Sequence, residues 1–130
     1  MTTQTMKFAD NPLIADRKDN YLAVTVDSAK IIESWRGSLR AFEWITPEGQ
    51  IKELSALKTE DQEQRTEIED KIKSGQTLEK PVLGIGLLEN VEIGIGRATF
   101  LVAFANGQKE IPAHIPKAHE KDFQPFLIKH

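Results

Sequence analysis

Residues 84–96 read GIGLLENVEIGIG, so that Gly84-Ile85-Gly86 returns ten residues on as Gly94-Ile95-Gly96. Glycine loses more backbone freedom on folding than any other residue, at a cost of about 0.5–1 kcal/mol each against alanine. Glycines alternating with branched apolar residues therefore call for a physical reason. A dinucleotide loop needs G-x-G-x-x-G between a strand and a helix, and a Walker loop needs Gly-Lys-Ser/Thr. Here Glu89 and Thr99 stand where a third glycine would fall, no Walker triplet occurs, and neither glycine triplet is followed by a helical pattern. The alternation instead predicts two strands of a hairpin. Pairing residue 88 with 91 sets Gly84 opposite Ile95, Gly86 opposite Ile93, Gly94 opposite Ile85 and Gly96 opposite Leu83. Bare positions of this kind let a second layer come close to a sheet. The candidates for that layer are a crossing strand, an indole from Trp35 or Trp44, or a partner.

From Pro81 onward the residues are β-rich. PVLGIGLL (81–88), VEIGIGRATFLVAFA (91–105) and QKEIPAHI (108–115) read as three strands. Asn106-Gly107 joins the last two, because a type I′ turn needs positive φ at both central residues. Pro112 places the third strand at an edge or limits its length, since proline cannot donate to a ladder. Upstream, YLAVTVD (21–27) alternates, with Leu22, Val24 and Val26 on one face. Asp27 or Ser28 caps a helix whose face carries Ile31, Ile32 and Trp35; Gly37 is a natural stop, and a continuation through Leu39 and Phe42 is the alternative. Residues 38–54 read as a hairpin around Pro47-Glu48-Gly49; a helix starting at Pro47 is the alternative. Residues 1–20 form a partly irregular arm, and residues 116–126 a short helix ended by Pro125, with Phe123 and Phe126 packing down.

The segment TEDQEQRTEIEDKIKSG (59–75) is the clearest helix. Thr59 and Gln62 suit a capping box, acids crowd the first turn and lysines the last. Asp61–Arg65, Glu67–Lys71 and Glu69–Lys73 are acid-before-base pairs at helical spacing. Only Ile68 and Ile72 offer apolar contact, so this polar helix lies at the periphery. The expected fold is thus α+β: one domain over residues 1–130, an antiparallel sheet of about four to six strands, and two or three helices.

Composition excludes several functions. The 130 residues contain no cysteine, which removes disulfides, thiolate zinc sites and cysteine nucleophiles. No run of about 18 apolar residues is present to span a membrane, and the N-terminus lacks the apolar core of a secretory signal. A cytoplasmic location without membrane attachment is the expectation. The formal charge of −3 argues against a general nucleic-acid binder.

Candidate chemistry is sparse. His114 and His119, with Glu120 and Asp122, are a weak metal candidate at a spacing that matches no zinc motif; solvated surface histidines are the commoner case. No serine sits in a nucleophile-elbow context. Asp27, Glu92, Arg97 and His114 are the residues on which an enzyme, such as a metal-assisted hydrolase, would have to draw. For Asp27 helix capping is the simpler role, and for Arg97 an ion pair with Glu92. No cofactor is implied. Arg36, Arg40 and Arg97 stand beside Trp35, Phe42 and Phe100, a set able to stack on a base or meet an acidic partner. Trp35 and Trp44 belong in the core, or serve as interface anchors if exposed. Without a convergent catalytic set, the expectation is a binding or regulatory protein of inhibitor or immunity type. Its partner is a protein, contacted through Glu63, Glu67 and Asp70 or through the arginine–aromatic set, with homo-oligomerisation also compatible. A nucleic-acid module is a further alternative.

Overall fold

In the computed structural model, which describes residues 6–38, 41–86 and 89–128, the chain runs through β1 (Phe8–Ala9), β2 (Tyr21–Asp27), α1 (Ser28–Trp35), α2 (Thr59–Lys73), β3 (Leu78–Glu79), β4 (Val82–Ile85), β5 (Val91–Ile95), α3 (Arg97–Ala105), β6 (Glu110–Pro116) and α4 (Glu120–Phe123). Short 3-10 segments fill several of the connections, the longest over Pro12–Asn20. The fold is α+β, in one domain. Its main sheet has four strands in the order β2-β6-β4-β5, and β1 pairs with β3 in a separate two-stranded ribbon. Two of the three main pairings, β2–β6 and β4–β5, are antiparallel as expected, whereas β4–β6 is parallel, so the sheet is mixed.

The parallel pairing follows from a correction at residues 91–105. The strand ends at Ile95, and RATFLVAFA is helix α3. A helix between β5 and β6 carries the chain back across β4, which a hairpin could not do. The segment is apolar on every side because it is covered on every side: Ala98 through Ala103 are all buried. It lies between the sheet and α2. The run therefore has no helical stripe, and a short buried helix without a stripe reads like a core strand.

Asn106-Gly107 ends this helix and does not form a hairpin turn. Gly107 has φ +86°, its N–H donates to Phe104 O, and the N–H of Gln108 reaches Ala103 O at 3.1 Å. This is a Schellman closure, which demands the same left-handed residue as the turn it was mistaken for. The end of α2 repeats it at Gly75, with Gln76 N–H donating to Lys71 O.

Pro112 does not push β6 to an edge; β6 is interior, between β2 and β4. The explanation lies in the ladder. His114 donates its backbone N–H to Pro81 O at 2.9 Å, away from β2. Alternate residues of an antiparallel strand aim their amides to the same side, so Pro112 and Pro116 also face away from β2 and cost that ladder no bond.

The glycine hairpin exists, in a different register. Val82 faces Ile95, Leu83 faces Ile93, Gly84 faces Glu92 and Ile85 faces Val91, with a bulge that leaves Gly94 as the extra residue. The glycines therefore have separate explanations. A side chain at Gly84 would meet nothing within 4 Å. At Gly86 it would run into Glu92 Cγ at 2.8 Å, and at Gly96 into Pro81 Cα at 3.1 Å.

The core fills the space between one face of the sheet and the helices. Val26, Leu83, Ile93, Ile111 and Ile115 meet Ile31, Ile32 and Trp35 of α1, and Phe100 and Leu101 of α3. Trp35, Trp44, Phe100 and Phe123 are fully buried. Asp27 caps α1, accepting from Lys30 N at 3.2 Å. In residues 38–54 the turn is as expected, with Gly49 at φ +84°, but among the described residues its arms meet in a single bridge, Ile45 to Ile51. Helix α2 packs on α3 through Ile72, which joins Leu78 and Val102 in a small second cluster. The capping box does not form: Lys58 is the N-cap without a side-chain bond, and Gln62 Nε2 donates instead to Leu57 O. Arg65 pairs with Glu69, and Lys71 with Glu67. Among the described residues no helix is long and apolar enough to cross a membrane.

Candidate functional site

The three acids singled out on α2 come together. Glu63, Glu67 and Asp70 recur at helical spacing on the face turned away from Ile68 and Ile72, and all three are exposed. With Gln62, Thr66 and Leu54 they line a depression of about 470 Å³. Leu54 belongs to a 3-10 turn ahead of the helix and is 38% exposed, which puts one apolar side chain at the wall of an acidic groove. Glu67 holds Lys71 at 3.8 Å, whereas Glu63 and Asp70 form no ion pair among the described residues.

A second depression, about 400 Å³, has the opposite sign, and its Lys52 stands two residues before Leu54 of the first. Arg36 and Lys52 flank Ala41, Phe42, Ile45 and Pro47 there. Phe42 is 67% exposed, an unusual position for an aromatic ring. Arg36 is held in place: its guanidinium donates to Pro47 O, and its Cδ lies 3.4 Å from where a Gly49 side chain would begin. Arg40 lies outside the described residues. Trp35 and Trp44 are both fully buried, so the indoles are core and not surface anchors. Arg97 lies over the Trp35 ring at 6.0 Å and does not pair with Glu92.

Glu92 is taken up elsewhere. Its Oε1 accepts from Ser38 Oγ at 2.8 Å and its Oε2 from Asn90 Nδ2 at 3.0 Å, which folds the carboxylate over Gly86. Asp27 is committed to capping α1. No hydrogen bond or ion pair links any two of Asp27, Glu92, Arg97 and His114 among the described residues. The strand–turn–helix context that the glycine triplets were expected to lack does occur at β5–Gly96–α3, with Gly96 at φ +78° as the N-cap. The space above that glycine is filled by Pro81, and Arg97 at the first helical position is turned onto Trp35.

His114 is not a solvated surface residue. It is 3% exposed, and its Nε2 accepts the backbone N–H of Asn11 at 3.1 Å. A backbone amide can only donate, so the ring is neutral there, with its proton on Nδ1. Burial pushes the imidazole below its ordinary 6.5, Lys80 adds to the effect and Asp10 opposes it. Asn11 also donates Nδ2 to Lys80 O at 3.0 Å and accepts from Leu13 N, which pins the N-terminal arm across β6. Lys80, bonded to Asp10 at 3.0 Å, holds that carboxyl below the usual carboxylate range. His119 is apart from this group, with Nδ1 at 3.2 Å from Asp122. Among the described residues no three His, Asp or Glu side chains gather as a metal site. Sequence reasoning missed Leu54, Lys52 and Asn11. The Asn11-Pro12 pair was the available signal for the last, since Asn before Pro commonly opens a turn.

Compared with family models, curated proteins and solved structures, the chain matches none.

Proposed function

We propose that this chain is a binding protein that acts by docking a basic protein partner along the acidic groove of α2, in the manner of a small inhibitor or immunity factor. One observation carries the reading: Glu63, Glu67 and Asp70 are not dispersed over a solvated helix but share a single depression with the exposed Leu54. Exposed carboxylates contribute little affinity individually, but a one-sign groove steers an oppositely charged partner and fixes its register. Leu54, at the wall of the groove, supplies an apolar contact beside the carboxylates. The opposite face of α2 is anchored on the fold, where Ile72 packs with Val102 and Leu78.

The test is capture from an extract of the native cells, with the wild type compared against a variant carrying Glu63→Lys, Glu67→Lys and Asp70→Lys. All three positions are exposed, so the variant should keep the wild-type circular dichroism spectrum and melting temperature. The expected outcome is a protein retained by the wild type and lost from the variant. Equal retention by both would remove the groove from the reading, and no retention by either would remove the reading itself.

A further inference from the structure

We propose that the chain also pairs with a second copy of itself, the Phe42 groove of each copy taking the acidic α2 groove of the other. The inference rests on the reading of the α2 groove as a docking surface and gives that groove a competing occupant, so that self-pairing would regulate partner access. Three observations converge on it. The two depressions are of similar size, about 400 and 470 Å³, and of opposite sign. Each presents one large exposed apolar side chain beside its charges, Phe42 at 67% and Leu54 at 38%. The two depressions also share one stretch of chain: Lys52 lines one and Leu54, two residues on, lines the other.

The scaffold between them is tied down. Arg65 of α2 donates Nη1 to Lys52 O at 2.7 Å, and Lys58 reaches Glu43 at 3.2 Å. Arg36 and Lys52 form no ion pair of their own among the described residues, so their charge is available outward. A surface with adjoining positive and negative halves is self-complementary under a two-fold rotation, which lays each half on its opposite twice over. The net charge of −3 repels copies at long range, so only this local complementarity can bring two together. The contact sets Phe42 and Leu54 beside paired opposite charges, and so combines apolar and electrostatic complementarity as specific interfaces do.

Sedimentation velocity over a concentration series tests it on the whole chain. The wild type should move toward twice the monomer mass with concentration at low ionic strength, and back toward one copy in high salt. Arg36→Glu with Lys52→Glu makes both halves acidic. Glu63→Lys, Glu67→Lys and Asp70→Lys together make both halves basic. Each variant alone should stay at one copy, and an equimolar mixture should recover the two-copy mass. A wild type that stays at one copy throughout, or a mixture that does, overturns the proposal. Circular dichroism checks that the reversed variants fold. If either fails to fold, Phe42→Ala takes its place and should halve the limiting mass; an unchanged mass overturns the proposal. Capture of a basic protein by a strictly monomeric wild type would sink self-pairing and leave the partner reading standing. Self-pairing without capture would do the reverse.

Discussion

His114 and Gly96 show how one residue's surroundings reverse what its type suggests. The neutral His114 ring accepts from Asn11, and protonation would abolish that acceptor and place a second cation near Lys80. Its pKa is depressed in the folded chain, so the unfolded chain binds the proton more readily. The stabilisation is complete above about 6.5 and declines as pH falls below that value. Thermal melts between neutral and mildly acidic pH should show stability dropping in the wild type, with a shallower drop in His114→Gln; equal slopes would clear His114 of the effect. The glycines make a second prediction. Gly96→Ala forces an L-residue to φ +78° and a Cβ to within 3.1 Å of Pro81 Cα, so it should cost at least about 1–2 kcal/mol in urea unfolding. Gly84→Ala meets open space and should be neutral or gain up to about 1 kcal/mol. The alternation of glycines was legible in the sequence, but which glycine is irreplaceable was not, because the bulge at Gly94 sets the register that places Pro81 over Gly96.

The helices divide by how their apolar residues are distributed. In α1, Ile31, Ile32 and Trp35 mark one face, and the helix appears where that stripe and the Asp27 cap place it. In α2 the charge pattern and Gly75 set the ends, and its marginal apolar face correctly implied a peripheral position. That position makes a prediction. Ile72 is 6% exposed and is the buried residue of α2, so Ile72→Ala should cost about 2–4 kcal/mol. Amide exchange should then quicken across Thr59–Lys73 more than across β2 and β6; uniform quickening would mean that α2 unfolds only with the whole domain. Helix α3 was not legible. Its residues are apolar on all sides because the sheet and α2 enclose it, and enclosure is a property of neighbours.

At the scale of the molecule, a chain with a formal charge of −3 carries one groove lined by acids and one lined by cations, each with an apolar side chain beside the charges. Association through the α2 groove should weaken as ionic strength rises, because the exposed carboxylates are screened within about 10 Å at 0.1 M salt. Leu54→Ala should weaken binding without changing that salt slope, which a titration of the captured partner at several salt concentrations would read. The acids of the α2 groove were legible, since residues at three- and four-residue spacing on a helix must share a face. The second groove was legible only as arginines near aromatics: the core places of Trp35 and Trp44 were expected, but the exposure of Phe42 was not, because it depends on which side of the short turn at Ala41–Glu43 meets the sheet. By itself, the sequence determined the fold class, strand β2, the helices over 28–35 and 59–73, and the turn at Pro47–Gly49, because each rests on period, capping or φ preference within one stretch of chain. Only the tertiary structure decided the mixed sheet, the helix at Arg97–Ala105, the interior place of β6 and the burial of His114. Each of those depends on contacts between residues far apart in sequence, whose free energies outweigh the local preferences of the segments they join.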